Sequence, residues 1–352
     1  MKKILLTGGG TAGHVTPNIA LLPRLREAGF AIEYVGTRTG IEYGLIQKEN
    51  LPFHTITAGK LRRYFDLKNI SDLFRIALGL LQAIGILLRS RPDVVFSKGG
   101  FVSCPVVWAA WLLKIPAVIH ESDITPGLAN KLSLPFARKI CYSFPETASH
   151  VDGMKSVHTG LPVRASLLAG SAEKGLELCG FTKDKPVVLV MGGSQGSVAV
   201  NSAVRNALPA ITRDFNLCHL CGKGNLGPEA SSYYQFEYVS DELPHLLAAT
   251  TLFVGRSGAT TLFELLALKK PSLLIPLSTG ASRGDQILNA RSFEKQGFCE
   301  VLPQEELTED ALTTGIQRVF SRRQEIIGAI ERGHLPDGTA AVTEILKEIA
   351  GN

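Results

Sequence analysis

The chain has 352 residues, of which 45% are hydrophobic and 20% are charged. This balance excludes an intrinsically disordered chain, and the length favours two domains because a single core rarely organises so many residues. The six cysteines are scattered along the chain, which argues against a disulfide-stabilised secreted scaffold and favours a reduced, cytosolic compartment.

The net charge of +5 is unevenly distributed. Residues 1–163 carry 19 Lys and Arg against 11 Asp and Glu, whereas residues 164–352 carry 18 against 21. A basic half joined to a mildly acidic half indicates that the first domain faces phosphates or an anionic surface.

The first predicted elements form a β-α-β unit around a glycine-rich turn. Residues 3–7 are a short apolar strand, and Gly8, Gly10 and Gly13 follow it in the spacing G-x-G-x-x-G. Apolar residues at helical spacing predict a helix over 17–28, and the next strand is predicted over 31–35. This spacing is the nominal signature of a dinucleotide-binding loop.

A dinucleotide site also requires an acidic residue at the end of the second strand, where it binds the ribose hydroxyls. Here that strand ends in Gly36 and Thr37, and Glu33 lies too early. The loop is therefore interpreted as a phosphate-binding loop that does not serve NAD. His14 follows the glycines near a helix N-terminus, where an anion is favoured; a locally bonded helix residue is the alternative.

The second half of the chain repeats this design. A strand follows Pro186, residues 192–196 form a glycine-rich turn, and a helix is predicted from Ser197 to Leu208, ended by Pro209. Further strands are predicted at 93–97, 116–120, 217–221, 251–255 and 272–276. Strands that alternate with helices form parallel sheets. The predicted fold class is α/β: two Rossmann-like domains, 1–160 and 161–334 with a linker at 158–164, whose parallel sheets face a central cleft.

Residues suited to a nucleotide concentrate in the second half. The run 253–264 predicts a strand, a turn of small residues and a helix, in which Ser257 and Thr261 offer hydroxyls to a phosphate. Glu264 lies at i+3 from Thr261, so both can face one ligand, and its carboxylate can accept from a ribose. Ser194 in the turn 192–196 adds a hydroxyl, and Gln286 is suited to sugar hydroxyls. Together these residues predict a nucleotide-sugar site. Since the sequence has no Asp-x-Asp pair, a metal need not hold the diphosphate, and no cofactor is expected.

Seven stretches in order resemble one family over nearly the whole chain. The sequence is similar to the undecaprenyldiphospho-muramoylpentapeptide β-N-acetylglucosaminyltransferases, GT-B glycosyltransferases of family 28 that convert lipid I to lipid II. The stretches are GGGTAGHVTP at 8–17, SKGGFVSCPVVWAAW at 97–111, IPAVIHESDITPGLANK at 115–131, LPVR at 161–164, GGSQGS at 192–197, GRSGATTLFEL at 255–265 and DQILNA at 285–290.

The resemblance implies a GT-B fold, UDP-GlcNAc as the donor and lipid I as the acceptor. It also implies inversion at the transferred sugar and a segment 335–352 that packs back on the N-terminal domain. On the family pattern the main chain near Val239 holds the uracil, Glu264 the ribose, and Gln286 the GlcNAc hydroxyls. The residues implied at the nucleotide and diphosphate are Arg164, Ser194 and Thr261; those implied at the acceptor diphosphate and the reacting sugars are Gly10, Thr11, Ala12, Gly13 and His14.

One departure from the family pattern concerns the sugar contact. Many members have Glu-Gln-Asn where this chain has Glu121-Ser122-Asp123. An Asp at this position accepts hydrogen bonds but cannot donate them when ionised. The contact of Asp123 with UDP-GlcNAc is therefore an open point.

The reaction needs a base for the attacking hydroxyl of the acceptor. His14 is the candidate because an imidazole titrates near neutral pH, and binding of the acceptor diphosphate is its alternative role. Glu121 and Asp123 are reserve catalytic candidates, for which a structural role at a strand end has equal weight.

A lipid-anchored acceptor requires contact with a membrane. Residues 60–91 are apolar with basic ends, but the uncharged run 76–88 is too short to span a bilayer. Two interpretations stay open: a buried core helix, or an interfacial helix that docks on anionic lipid. The second predicts a peripheral enzyme on the cytoplasmic face of the bacterial membrane, without a nucleic-acid partner, and its docking residues would be Lys60, Arg62, Arg63, Arg75, Trp108 and Trp111.

Three other functions are compatible with the glycine-rich turns. A GT-B enzyme that glycosylates diacylglycerol would differ in its acceptor. A UDP-GlcNAc 2-epimerase would not need the apolar, basic segment 60–91, and a non-catalytic nucleotide-sugar binding module would not need His14 in the first loop.

Overall fold

The computed structural model describes residues 1–59, 68–193, 195–280, 283–333 and 335–351, with backbone only for 68–71. The chain folds into two compact units. The first unit consists of Met1–Arg164 and Leu335–Asn352, and the second consists of Ala165–His334. This division falls four residues after the expected change of domain at 160, so that Arg164 belongs to the first unit.

Parallel strands make up the sheet of each unit, and every strand is followed along the chain by a turn or a helix. The strands are β1 Lys3–Thr7, β2 Ala31–Gly36, β3 Phe53–Thr55, β4 Val94–Ser97, β5 Ala117–Glu121, β6 Lys139–Tyr142, β7 Ser156–His158, β8 Val187–Met191, β9 Asn216–Leu220, β10 Tyr233–Phe236, β11 Leu252–Gly255, β12 Ser272–Leu274 and β13 Glu300–Val301.

Helices cover the sheets because short apolar strands that are buried on both faces need a layer on each side. The helices are α1 Thr16–Glu27, α2 Ile41–Gln47, α3 Lys68–Ser90, α4 Ser103–Leu112, α5 Leu128–Ser133, α6 Ala172–Cys179, α7 Val198–Asn206, α8 Leu208–Asp214, α9 Leu243–Ala249, α10 Ala259–Ala267, α11 Asp285–Lys295, α12 Glu309–Ser321, α13 Arg323–Arg332 and α14 Gly338–Gly351.

The first unit has a seven-stranded sheet in the order β3-β2-β1-β4-β5-β6-β7. Alternation along β1 divides its core into two layers. Ile4 and Leu6 pack with α1 and α14 on one face, and Leu5 packs with α3 and α4 on the other. The C-terminal helix is therefore part of the first unit's core.

The second unit has a six-stranded sheet in the order β10-β9-β8-β11-β12-β13. The prediction of one helix ended by Pro209 is wrong in one respect, because α7 already ends at Asn206 and Pro209 is the second residue of a further helix, α8. Proline suits the first turn of a helix, where its missing N–H would have no partner in any case.

Strand order reverses once in each sheet, between β1 and β4 and between β8 and β11. Loops that leave the carboxyl ends of strands on either side of such a point diverge and open a crevice for ligands. The two glycine-rich turns follow β1 and β8, so each lies at the reversal point of its own sheet.

Candidate functional site: strand-end loops of the two units

The first glycine loop holds the imidazole of His14 at one ring nitrogen. Residues Ala12–His14 form a 3₁₀ turn, and Gly10 has a φ of +87° that favours glycine. Nδ1 of His14 lies 3.2 Å from the carbonyl oxygen of Gly9 and 3.2 Å from Oγ1 of Thr11. Because a carbonyl can only accept, the contact with Gly9 places the proton on Nδ1 and leaves the lone pair of a neutral ring on Nε2.

A buried carboxylate that the sequence did not reveal supports the same loop. Glu42 is fully buried, and its Oε2 accepts from the N–H of Gly10 at 3.2 Å. Its Oε1 accepts from the backbone N–H of Thr37 at 3.0 Å and from the hydroxyl of Thr37 at 2.6 Å. One amide donor of the loop is therefore used by the protein itself. Sequence alone cannot distinguish such a residue from the solvated glutamates common in first helical turns.

Glu121 organises the loop that follows β5. Its Oε1 accepts from the N–H groups of Ser122 and Asp123 at 2.8 and 3.0 Å. Its Oε2 accepts from the N–H of Gly127 at 3.0 Å and from Nδ2 of Asn130 at 2.7 Å. A carboxylate with four such bonds holds the backbone of the loop in place, so the geometry favours the structural role for Glu121 over the catalytic one.

A buried lysine lies between these two loops. Lys98 directly follows β4, is 1% exposed, and donates from Nζ to Oγ of Ser122. Burial lowers the pKa of Lys98 to about 8, against the attraction of Glu121 and Asp123, which raises it. Nothing in the sequence marks Lys98 as buried, because a lysine before Gly-Gly has the same pattern as an exposed one.

Asp123 is half-exposed and lies two residues after the end of β5. Its carbonyl oxygen accepts from the hydroxyl of Thr147 at 3.3 Å. The backbone at this position is therefore fixed on both sides, by Glu121 and by Thr147, which suits a residue that must present its side chain to a substrate.

Arg256 connects the strand-end loops of the second unit. The buried guanidinium donates from Nη1 to the carbonyls of Ile275 and Pro276 at 3.0 and 3.3 Å, and from Nη2 to Oγ of Ser197 at 2.7 Å. Nη2 also donates to Oε1 of Gln304 at 2.6 Å. Ser197 is the N-cap of α7, so one arginine fixes the turn after β8 to the segment after β12. Ser194, in that turn, lies outside the described residues.

A hydrogen bond joins Ser257, in the turn after β11, to Gln286 at the start of α11. The Ser257 hydroxyl, which is buried, donates to the carbonyl of Gln286 at 2.8 Å, and Oε1 of Gln286 accepts from the N–H of Leu277 at 3.0 Å. The proton of Ser257 is thus engaged within the protein, which favours a positioning role for this residue. The amide nitrogen is the part of the Gln286 side chain suited to a ligand oxygen.

Thr261 and Glu264 lie on one face of α10, three residues apart, and both are half-exposed. Val239 is 8% exposed between β10 and α9, where main chain rather than side chain is available to a base. Arg164 is half-exposed at the end of the first unit. Among the residues that the structure describes, no group of three or more His, Cys, Asp or Glu side chains could hold a metal ion.

The helix α3 is partly a core helix and partly exposed. Ile76, Ala83 and Leu87 are buried, the last two in the core of the first unit, whereas Leu73, Phe74, Leu78, Leu81 and Leu88 are exposed. Within the described residues, Asp72–Ser90 is the one helix long and apolar enough to cross a membrane, with a mean hydropathy of 1.6. The residues of its buried stripe pack against the first unit's core.

Two tryptophans lie on α4, the helix that packs against α3. Trp111 is 53% exposed, and Trp108 is half-buried with Nε1 donating to the carbonyl of Leu132 at 3.1 Å. Arg75 is mostly exposed, and its Nη1 lies 3.6 Å from Oδ1 of Asp72. The proposed docking residues Lys60, Arg62 and Arg63 lie outside the described residues.

Comparison with known proteins identifies the family. The family model for the glycosyltransferase family 28 N-terminal domain matches residues 4–142, and the model for the glycosyltransferase family 28 C-terminal domain matches residues 187–335. The chain belongs to glycosyltransferase family 28. This membership confirms the predicted resemblance and the enzyme class, and it decides against the UDP-GlcNAc 2-epimerase.

Relatives of this family 28 glycosyltransferase share its full length. A Clostridium kluyveri protein named UDP-N-acetylglucosamine--N-acetylmuramyl-(pentapeptide) pyrophosphoryl-undecaprenol N-acetylglucosamine transferase is 50% identical over 351 residues, 99% of both chains. Proteins of the same name from Clostridium botulinum (strain Langeland) and Clostridium novyi are 51% identical over 351 residues and 53% identical over 330 residues. They cover 99% and 92% of both chains, respectively.

Solved structures of low identity share the fold. MurG from Acinetobacter baumannii superposes with a TM-score of 0.76 at 24% identity, covering 99% of this chain and 100% of that chain. CalG4, the calicheamicin glycosyltransferase, has a TM-score of 0.71 at 15% identity and covers 100% of this chain and 99% of its own. These likenesses confirm the predicted GT-B fold with two α/β domains.

Proposed function

We propose that this family 28 glycosyltransferase transfers GlcNAc from UDP-GlcNAc to the C4 hydroxyl of the MurNAc of lipid I, with inversion, to form lipid II for peptidoglycan synthesis. The observation that carries the proposal is the identity of 50% and 51% over 99% of both chains to the Clostridium relatives named for this transfer. Conservation of that extent over both domains favours the same donor and the same acceptor, and weighs against diacylglycerol.

On the acceptor side, His14 is the proposed base. Its Nδ1–H is directed to the Gly9 carbonyl at 3.2 Å, so Nε2 carries the lone pair that can take the C4 hydroxyl proton. The backbone of Gly10, Thr11, Ala12 and Gly13 forms the turn at the start of α1, which suits the acceptor diphosphate and the reacting sugars.

On the donor side, charge develops on the departing UDP. We assign its diphosphate to the turn after β8, with Ser194 and Arg164, and to the start of α10, with Thr261. N–H groups at helix starts and a guanidinium stabilise such charge without a metal ion. Because the Ser257 hydroxyl donates to the Gln286 carbonyl at 2.8 Å, Ser257 positions this segment rather than binding phosphate through its proton.

The remaining donor contacts are proposed on the family pattern. Glu264, one helical turn after Thr261, accepts from the ribose hydroxyls, and main chain at Val239 holds the uracil. The Gln286 amide nitrogen donates to a GlcNAc hydroxyl because its oxygen already accepts from Leu277. Asp123 accepts from a sugar hydroxyl at the end of β5.

The lipid anchor of the acceptor places the enzyme at a membrane. We assign the exposed leucines and Phe74 of α3, with Trp111, to the interface of the cytoplasmic leaflet, and the basic residues around them, including Arg75, to anionic headgroups. Trp108 contributes less because it is half-buried and bonded to the Leu132 carbonyl. The expected state is peripheral, with no nucleic acid involved.

UDP release from UDP-GlcNAc, measured with and without a soluble lipid I analogue, tests the proposal. Release only with the analogue, together with a β-linked disaccharide product, is the expected result. Release without an acceptor, with a hydrolysed or epimerised sugar, would overturn it. No release with lipid I but release with diacylglycerol would replace the acceptor and retain the glycosyltransferase.

A further inference from the structure

A buried positive charge lies at the carboxyl end of the first unit's sheet. The side chain of Lys98, which follows β4, is 1% exposed, and its ammonium donates to the Ser122 hydroxyl beside the neighbouring strand β5. The charged and titratable groups that face it are Glu121, Asp123, His120 and Cys141. An ammonium in such a place is stable only if nearby acceptors and opposite charges compensate for the lost water.

The same lysine is locked beneath the first glycine loop. Its N–H donates to the Thr7 carbonyl at 2.9 Å, and a Cβ built on Gly8 would lie 3.2 Å from the Cβ of Lys98. The next residues form a tight turn against that loop, since a Cβ on Gly100 would lie 2.1 Å from the carbonyl oxygen of Gly9. Lys98 therefore contacts both the loop that carries His14 and the loop that carries Asp123.

The four facing groups differ in charge. His120 is held neutral because burial, and then the charge of Lys98, lower its pKa, and its Nε2 lies 2.9 Å from the Gly160 carbonyl. Burial raises the pKa of Cys141 to about 12, so its thiol is neutral. The groups that attract the ammonium are the carboxylates of Glu121, which accepts four hydrogen bonds from uncharged donors, and of Asp123. These two residues flank Ser122, which accepts the hydrogen bond from Lys98.

We propose that Lys98 is a positioning residue whose buried charge is matched to the carboxylates of Glu121 and Asp123 and which, through Ser122, holds the turn after β5 so that Asp123 meets the sugar substrate. Lys98 cannot itself touch the substrate because it is buried. The inference rests on the proposed function for its effect on transfer, and on this unit's geometry alone for the coupling between Lys98 and Asp123.

A double-mutant cycle tests the coupling in the full-length enzyme. Lys98→Met removes the charge that attracts Asp123, so we expect kcat/KM for transfer to the lipid I analogue to fall about 10-fold or more. In an Asp123→Asn background the same change should cost less than about 3-fold, because the attraction between Lys98 and Asp123 is already lost and of the two carboxylates only Glu121, which four hydrogen bonds hold in place, still faces the lysine. Lys98→Gln keeps a donor for Ser122 without the charge, and Lys155→Met removes an exposed lysine as the matched control.

The pH profile separates charge from packing. Lys98 loses its proton as the pH rises through about 8, so the native kcat/KM should contain an alkaline fall near that pH which Lys98→Met lacks. A rate for Lys98→Gln equal to that of the native enzyme would overturn the proposal, as would equal losses from Lys98→Met in both backgrounds.

Hydrogen exchange distinguishes failure of this inference from failure of the proposed function. In Lys98→Met the amides of Ser122, Asp123 and Gly127 should lose protection, and Asp123→Asn should restore part of it, while the second unit remains unchanged. Unchanged protection at these amides overturns the inference even in an active enzyme. If the native chain transfers no GlcNAc, the proposed function and the kinetic effect fail together, and the exchange result still decides the coupling.

Discussion

At the scale of single residues, the site depends on which polar atoms the protein has already used. His14 is held through Nδ1 by a carbonyl, so its other nitrogen has the character of a base. Glu121 has its oxygens engaged by four donors, and Ser257 has its proton engaged by a carbonyl. Identical residue types can thus serve chemistry or structure, and their hydrogen bonds distinguish the two.

Replacing His14 tests its role as the base. We expect His14→Ala to lower kcat by about 10²-fold or more, because general base catalysis contributes that much. Thr11→Ala is the matched control: it removes one ring contact but keeps the contact with Gly9, and should cost less than about 10-fold. Steady-state kinetics with the lipid I analogue gives both values. A raised KM for the acceptor with an unchanged kcat would assign His14 to diphosphate binding instead.

At the scale of secondary-structure elements, the turn after β4 and the loop after β1 support each other. Gly100 has a φ of +85°, and a Cβ there would lie 2.1 Å from the Gly9 carbonyl oxygen. Gly29 has a similar φ of +77°, but a Cβ there would meet nothing within 4 Å. A comparison of Gly29 with Gly100 therefore separates the effect of a left-handed backbone conformation from the effect of close contact with the Gly9 carbonyl.

Alanine substitutions at these two glycines should therefore differ. Gly29→Ala carries only the cost of a left-handed conformation, about 1–2 kcal/mol, and should leave kcat unchanged. Gly100→Ala carries the same cost and also displaces the loop that holds His14, so kcat should fall at least about 10-fold. Kinetics and thermal melting of both variants provide the measurement. Equal kcat values would contradict the packing argument.

The helix α3 combines the two interpretations that the sequence left open. Its buried residues pack in the protein core, as a core helix requires. Its exposed leucines form an apolar face whose contact with water is unfavourable. One helix can meet both descriptions because residues four apart share a face and the opposite face is independent of it.

Docking on lipid should depend on this exposed face. We expect Leu73→Gln combined with Leu81→Gln to weaken binding to vesicles containing anionic lipid by about 10-fold or more, because each leucine loses apolar burial. Leu226→Gln, at an exposed leucine of the second unit, is the control and should bind as the native chain does. Sedimentation with vesicles measures the effect, and unchanged binding of the double variant would exclude α3 as the docking element.

Charge should add a salt-dependent part to the same binding. Arg75→Glu is expected to weaken vesicle binding at low ionic strength, and the difference should disappear in high salt because the headgroup field is screened. A difference that persists in high salt would indicate a structural effect, since Arg75 lies 3.6 Å from Asp72.

At the scale of the whole molecule, the last helix completes a core formed by the first part of the chain. Val342 and Leu346 of α14 are fully buried with Leu21, Leu22 and Leu25 of α1. An ion pair on the surface nearby joins Nη2 of Arg24 to Oδ2 of Asp337 at 2.9 Å. The first unit therefore cannot finish folding until the second unit has been synthesised.

Unfolding measurements can assign this helix to the first unit energetically. Leu346→Ala should destabilise the first unit by about 2–5 kcal/mol, the range for a buried leucine. Both tryptophans of the chain, Trp108 and Trp111, lie in that unit, so their fluorescence in urea reports its transition. Glu344→Gln, on the exposed side of α14, should change stability by less than about 0.5 kcal/mol. An unchanged transition in Leu346→Ala would contradict the shared core.

The sequence by itself determined eight of the strands, the two glycine-rich turns and the α/β class of the two domains, because apolar runs between turns define parallel strands and parallel strands place their loops at one edge. The GT-B fold was implied by the resemblance to one family rather than by this periodicity. The tertiary structure alone decided the places of Glu42, Lys98 and Arg256. Their charge suggests solvent exposure, and burial becomes favourable only when donors or opposite charges from distant segments surround them. The two faces of α3 were undecided for the same reason, since an apolar helix has no preference until its neighbours cover one side.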